Sequence, residues 1–94
     1  MKGAGGNDQI KSGGGADTIS GGGGADVVQS GGGADTVNGD AGNDRINSDS
    51  GDDKVDGGAG NDCILAGDGN DTASGGDNDD IVLGEAGNDT VNGG

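Results

Sequence analysis

The sequence lacks most of the residues from which a small domain builds its core. Its 94 residues include no Phe, Tyr or Trp, no Pro, no His and a single Met. Domains of this size are only marginally stable even with an ordinary apolar content. The 27 Gly residues add to the problem, because glycine loses more backbone entropy on ordering than any other residue. Composition alone therefore describes a disordered acidic chain, unless something other than hydrophobic burial drives folding.

Basic side chains are also scarce, and this scarcity limits the kinds of molecule that the protein can bind. Four Lys and Arg stand against 18 Asp and Glu, which gives a formal net charge of −14. Such a surface opposes binding to nucleic acid and to anionic lipid. No apolar run has the length of a membrane span, so we predict none. The single Cys excludes an internal disulfide framework.

What the chain does contain is one nine-residue unit, repeated ten times in register over residues 3–92. The unit reads G-G-x-G-x-D-x-U-x, where U is aliphatic, and residues 57–65 are its clearest copy. Position 6 is Asp in every copy: Asp8, Asp17, Asp26, Asp35, Asp44, Asp53, Asp62, Asp71, Asp80 and Asp89. Position 8 is aliphatic in every copy, from Ile10 to Val91. A fixed period of this kind predicts a repeat architecture.

The pattern within the unit predicts its local structure. Positions 1 to 6 are glycine-rich and suit a tight turn, whereas positions 7 to 9 suit a three-residue strand with one side chain inward. No window has the period of a helix. Two units would close one coil, so we predict an all-β, right-handed parallel β-roll. Its five coils would form two short-stranded parallel sheets, one from the odd copies and one from the even copies.

A weaker period of two units supports this pairing of copies. Position 1 is Gly in all odd copies, whereas in the even copies it is Ser12, Ser30, Ser48, Ala66 and Gly84. Position 4 is Gly in every copy except the ninth, where Asn78 is a residue that tolerates positive φ. No linker divides the repeats, so we expect residues 1–94 to form a single domain.

The loops carry the chemistry of a hard cation site. Each loop offers one carboxylate and several backbone carbonyls, and oxygen ligands of this type suit Ca²⁺. Zn²⁺ is disfavoured because the chain has no His and one Cys. Stacking of the coils would place each Asp over the Asp two copies later. Without cations the carboxylates of such a column would repel one another.

The unit resembles the calcium-binding nonapeptide of the RTX (repeats-in-toxin) proteins, and the resemblance covers residues 3–92. It implies that each Ca²⁺ lies between one loop and the loop two copies later, held by the position 6 Asp of both. One such site would join Asp44 and Asp62 with the carbonyls of Asp40, Gly42, Gly57 and Ala59. Position 4 would supply carbonyls throughout: Gly6, Gly15, Gly24, Gly33, Gly42, Gly51, Gly60 and Gly69. Two columns with four gaps each imply up to eight Ca²⁺, which would nearly neutralise the chain.

The resemblance implies a calcium-binding structural module of a secreted bacterial protein, exported by type I secretion. The module would stay unfolded inside the cell, where Ca²⁺ is low, and fold outside. We do not expect it to be an enzyme, because no nucleophile has a His to activate it.

Two alternatives stay open. One is a fragment of an RTX protease or lipase without its catalytic domain. The other is an adhesion or ice-binding surface on a threonine row, Thr18, Thr36, Thr72 and Thr90, which Lys54 interrupts.

The outward side chains of the late odd copies predict a contact surface. Cys63, Leu65, Ile81 and Leu83 should lie side by side on one sheet, and adjacent exposed apolar residues favour self-association or docking on a flanking domain. Copies one and ten resemble ordinary copies and not caps. This favours either a fragment of a longer protein or rods that stack end to end.

Overall fold

The computed structural model describes residues 2–93, which form ten strands of three residues each. The strands coincide with positions 7 to 9 of the ten copies. They are β1 Gln9–Lys11, β2 Thr18–Ser20, β3 Val27–Gln29, β4 Thr36–Asn38, β5 Arg45–Asn47, β6 Lys54–Asp56, β7 Cys63–Leu65, β8 Thr72–Ser74, β9 Ile81–Leu83 and β10 Thr90–Asn92. Residues 2–93 contain no helix long and apolar enough to cross a membrane.

The strands form two five-stranded parallel sheets, as the sequence predicts. The order is β1-β3-β5-β7-β9 in the odd sheet and β2-β4-β6-β8-β10 in the even sheet. Each residue pairs with its equivalent one coil later throughout, so that Ile46 pairs with Ile64 and Val37 with Val55. The predicted β-solenoid of about five coils is therefore confirmed.

The core is a single seam of position 8 side chains between the two sheets. Eight of them are buried: Ile10, Ile19, Val28, Val37, Ile46, Val55, Ile64 and Ala73. The molecule is only 13 Å across in its thinnest direction, which fits two sheets packed face to face. Burial of one side chain per strand makes a thin core, and the loops must supply much of the remaining stabilisation.

The seam is open at the last coil, where the prediction that every position 8 residue lies inside is wrong. Val82 is only half-buried, and Val91 is 46% exposed. At the other end a bridge from Lys2 to Ser20 extends the even sheet by one residue beyond β2. Residues 2–93 show no matching extension beyond β9 or β10.

Every loop after the first turns through two residues with positive φ, at positions 2 and 4. Gly42 at position 4 has φ of 115°, and a Cβ there would overlap the carbonyl of Gly24 in the preceding coil. Asn78 adopts φ of 79° at the same position, as expected for Asn. Asp40 at position 2 has φ of 71°. Its carboxylate accepts the N–H of Gly22 at 3.1 Å and the hydroxyl of Ser20, which offsets the cost of that conformation.

Candidate metal sites along the loop edges

The structure brings the ten position 6 Asp residues together in two columns, one along each edge of the solenoid. Each Asp ends a loop directly before a strand, so the strand register stacks it on the equivalent Asp of the next coil. Six of the ten side chains are buried: Asp26, Asp35, Asp44, Asp53, Asp62 and Asp71. The four at the column ends, Asp8, Asp17, Asp80 and Asp89, are half-buried. Buried carboxylates at this density need compensation from their surroundings.

Hydrogen bonds between successive Asp residues give part of that compensation. The Oδ1 atom of Asp62 accepts the backbone N–H of Asp44 at 2.8 Å, and Oδ1 of Asp44 accepts the N–H of Asp26 at 2.9 Å. Equivalent bonds of 2.8 to 3.0 Å join the other stacked pairs of both columns. These bonds fix the orientation of each carboxylate along the column.

The second carboxylate oxygen is left without a partner. The Oδ2 atoms of eight residues are buried and accept no hydrogen bond: Asp17, Asp26, Asp35, Asp44, Asp53, Asp62, Asp71 and Asp80. A buried acceptor that stays unsatisfied costs about 1 to 3 kcal/mol, and more when it is charged. A repeated orphan at one position of the unit therefore indicates a ligand that the protein atoms do not provide.

Glycine at position 1 of the odd copies keeps a side chain away from these orphan atoms. A Cβ placed on Gly39 would lie 2.6 Å from Oδ2 of Asp44 and 2.6 Å from the carbonyl oxygen of Gly57. A Cβ on Gly57 would likewise lie 2.5 Å from Oδ2 of Asp62 and 2.7 Å from the carbonyl oxygen of Gly75. One carboxylate oxygen and one carbonyl oxygen from the next coil thus face the same point beside each glycine.

Other carbonyls around the same gap are engaged in bonds between loops. The carbonyl of Asp40 accepts the N–H of Ala59 at 2.8 Å, and that of Ala59 accepts the N–H of Gly42 at 2.9 Å. A carbonyl has two lone pairs and can accept a hydrogen bond and bind a cation together. In residues 2–93 no three acidic or Cys side chains converge on one point. A cation in a gap would therefore need these carbonyls in addition to the carboxylates, and the donor set is all oxygen, as Ca²⁺ prefers.

The electrostatics of the columns oppose ionisation. Burial raises the pKa of Asp44 to about 6, partly offset by the hydrogen bond from Asp26 and reinforced by the negative charges of Asp62 and Asp26. Burial likewise raises the pKa of Asp53 to about 6, and the carboxylates of Asp71 and Asp35 add to the rise. The pKa of Asp62 is raised for the same first reason. The columns thus favour any bound species that brings positive charge.

Two further ladders were missed by the sequence reasoning. At position 5, Oδ1 of Asn43 accepts the N–H of Asn61 at 2.8 Å, in the direction opposite to the Asp ladder. Equivalent bonds have Asn7, Asp52, Asn61 and Asn70 as acceptors. The recurrence of Asn or Asp at this position was the available signal. At position 1 of the even copies, the hydroxyl of Ser48 donates to the carbonyl of Ala66 at 2.5 Å.

The predicted apolar surface is present as a geometric feature. The register pairs Cys63 with Ile81 and Leu65 with Leu83, so the four side chains are neighbours on the odd sheet. Ile81 is 61% exposed and Leu83 50%, whereas Cys63 and Leu65 are half-buried. Their role as an interface stays a prediction. The threonine row of the even sheet also lies in register, with Lys54 between Thr36 and Thr72.

The repeated loops, the paired sheets and the orphan carboxylate oxygens together define a β-solenoid of the calcium-binding-repeat class. A family model of the RTX calcium-binding nonapeptide repeat, four copies long, matches residues 2–37, 29–64 and 65–94. The chain therefore belongs to the RTX calcium-binding nonapeptide repeat family. No curated protein matches the chain.

Proposed function

We propose that the chain is a calcium-triggered folding module, in which the position 6 Asp residues of stacked loops hold Ca²⁺ in the gaps between them. The observation that carries the proposal is the set of eight buried Oδ2 atoms that have no partner. The chain has a thin aliphatic seam and two columns of carboxylates, within which burial raises the pKa of Asp44 and of Asp53. The free energy of metal binding by such a fold is folding free energy.

Each internal gap would use the same kinds of oxygen. In the gap between Asp44 and Asp62, the two carboxylates would act with the carbonyls of Asp40, Gly42, Gly57 and Ala59. Bound calcium would supply the positive charge that offsets burial and repulsion of the carboxylates. Four gaps in each column give up to eight sites, and the orphan oxygens support the same number.

The module itself would not be catalytic and would act in a secreted bacterial protein. A chain that folds only at millimolar Ca²⁺ would stay open in the low-calcium cytoplasm and fold after export. A parent RTX protease or lipase is compatible with this role, because the module would then be one part of it. The threonine row is assigned no separate function, since Lys54 interrupts it at the centre of the sheet.

Circular dichroism during a calcium titration tests the folding switch. We expect a disordered spectrum in excess chelator and a strand-rich spectrum at millimolar Ca²⁺, with Mg²⁺ as the matched control ion because it demands a stricter octahedral geometry. Calorimetry on the same samples gives the stoichiometry. A strand-rich spectrum that persists in excess chelator would refute the switch, and a stoichiometry of two ions or fewer would refute the two-column arrangement.

A further inference from the structure

The two columns of loops differ at position 1, and the difference lies inside the candidate calcium gaps. In the odd column the first loop of every gap has Gly at this position: Gly3, Gly21, Gly39 and Gly57. In the even column the corresponding residues are Ser12, Ser30, Ser48 and Ala66. A Cβ on any of these four glycines would lie 2.4 to 2.8 Å from the Asp Oδ2 atom and from the carbonyl oxygen of the next coil, so glycine keeps both oxygens free of a side chain at this position. Serine and alanine place a side chain there.

The serine hydroxyls use the carbonyls that the odd column leaves facing glycine. Ser12 donates to the carbonyl of Ser30 at 2.5 Å, and Ser30 donates to the carbonyl of Ser48 at 3.1 Å. Ser48 donates in the same way to Ala66. These carbonyls are equivalent to the carbonyl of Gly57, which faces Gly39 and Oδ2 of Asp44. A cation in a serine gap would have to displace or share this bond.

The hydroxyl of Ser48 lies close to the carboxylate of Asp53 in the same loop. Ser30 and Ser48 are themselves buried, so their donated bonds are shielded from water. The serine ladder therefore stabilises the even loops without a metal, whereas the odd loops have no such support at position 1.

We propose that the two columns bind calcium unequally, the glycine-bordered odd column filling first and the three serine-bordered gaps of the even column filling at higher Ca²⁺. This rests on the proposed function and specifies its order of loading. Loss of one net hydrogen bond on binding corresponds to an affinity about tenfold lower for each serine gap. The odd column would then respond to the lowest Ca²⁺ concentrations, whereas the loops of the even column are stabilised partly by their own serine hydroxyls.

The test compares the full chain with the triple variant S12G/S30G/S48G, which makes the even column resemble the odd one. Calcium binding is followed by calorimetry, and the amide signals of Asp44 and Asp53 in nuclear magnetic resonance spectra report the two columns separately. In the unsubstituted chain we expect the Asp44 signal to reach its final position at about tenfold lower free Ca²⁺ than the Asp53 signal. In the triple variant the two signals should move together.

Two further variants make the result decisive. S12A/S30A/S48A removes the hydroxyls but keeps each Cβ, so it separates the hydrogen bond from the space that the side chain fills. S74A removes the hydroxyl of a serine in strand β8, outside the loops, and should leave the order of loading unchanged. Simultaneous loading of both columns in the unsubstituted chain overturns the proposal. A triple glycine variant that binds fewer ions also overturns it, because serine would then be a ligand. Failure of the unsubstituted chain to bind any Ca²⁺ would instead refute the proposed function itself.

Discussion

The Asp at position 6 of each unit divides its two oxygens between two tasks. Oδ1 of Asp44 accepts the N–H of Asp26 and holds adjacent coils in register. Oδ2 of the same residue is buried without a partner and faces the space beside Gly39. The first task needs only an acceptor, whereas the second needs a charge. A substitution that keeps the acceptor and removes the charge can therefore separate them.

Asp44→Asn should have opposite effects with and without calcium. In excess chelator we expect a gain of about 1 to 3 kcal/mol in the stability of the folded state, because a buried charge is removed and an amide oxygen can still accept the Asp26 N–H. With calcium we expect about two fewer bound ions, since Asp44 borders two gaps. Strand content at fixed chelator and calorimetric stoichiometry measure the two effects.

Asp52→Asn is the matched control for this change. Asp52 is exposed at position 5, and its Oδ1 accepts the N–H of Asn70 at 2.9 Å, a bond that Asn can keep. We expect stability within about 0.5 kcal/mol of the unsubstituted chain and an unchanged number of ions. If Asp44→Asn lowers stability in chelator as well, the charge of Asp44 does not oppose the metal-free fold.

Each strand contributes only one inward side chain. Substitution of a single seam residue is therefore expected to lower the stability of the fold more than the volume of its side chain suggests. Ile64 is fully buried and pairs with Ile46 and Val82 in the odd sheet. In a core one residue wide per strand, few other side chains can move to fill a cavity. The stability of each strand therefore depends more on the strands paired with it in the adjacent coils than on its own length.

Ile64→Ala should destabilise the calcium-loaded fold by about 2 to 5 kcal/mol, because it removes a buried side chain from the seam. Val27→Ala is the matched control: it shortens a side chain of the same sheet that points outward and is 46% exposed, and we expect about 0.5 kcal/mol or less. Urea unfolding at constant free Ca²⁺ measures both. Equal losses for the two variants would contradict the assignment of position 8 as the core.

The sequence predicted the elements well because the repeat fixes both their period and their inward face. All ten strands, the odd and even sheets and the pairing of each copy with the next but one follow from Asp and the aliphatic residue two places later. Three features could not be read from this pattern. The open seam at Val91 depends on how the last coil of residues 2–93 is covered, and the ladders of Asn43 and Ser48 depend on side-chain rotamers. Within the site, the columns of Asp were predictable, whereas the split between Oδ1 and Oδ2 required coordinates.

At the scale of the whole molecule, the raised pKa values make the metal-free fold sensitive to pH. Asp44 and Asp53 have an ordinary pKa of 3.8 when unfolded and about 6 when folded, so the folded state binds more protons between these values. Stability then falls as pH rises through this window. Protons and calcium are therefore expected to be alternative means of neutralising the two loop edges.

In excess chelator, lowering the pH from about 7.5 to about 5 should increase strand content, because this range spans the folded pKa of about 6 of Asp44 and Asp53. With calcium, strand content should be high at both pH values, and more Ca²⁺ should be needed at the lower one because protons compete for the carboxylates. Circular dichroism at fixed free Ca²⁺ checks both expectations. A metal-free fold that gains strand content as pH rises would contradict the expected direction.

The open seam at the last coil gives the solenoid a direction of unravelling. Each coil touches only the coils before and after it, so loss of order advances most easily from the end coil whose seam residue is less buried. Val91 is exposed there, whereas Ile10 at the opposite end is buried. Unfolding from β10 toward β1 exposes little additional apolar surface at its first step and a full layer of the seam at each later step. Unfolding is therefore expected to begin at β10. Each later step costs more free energy than the first, because it exposes a full layer of the seam.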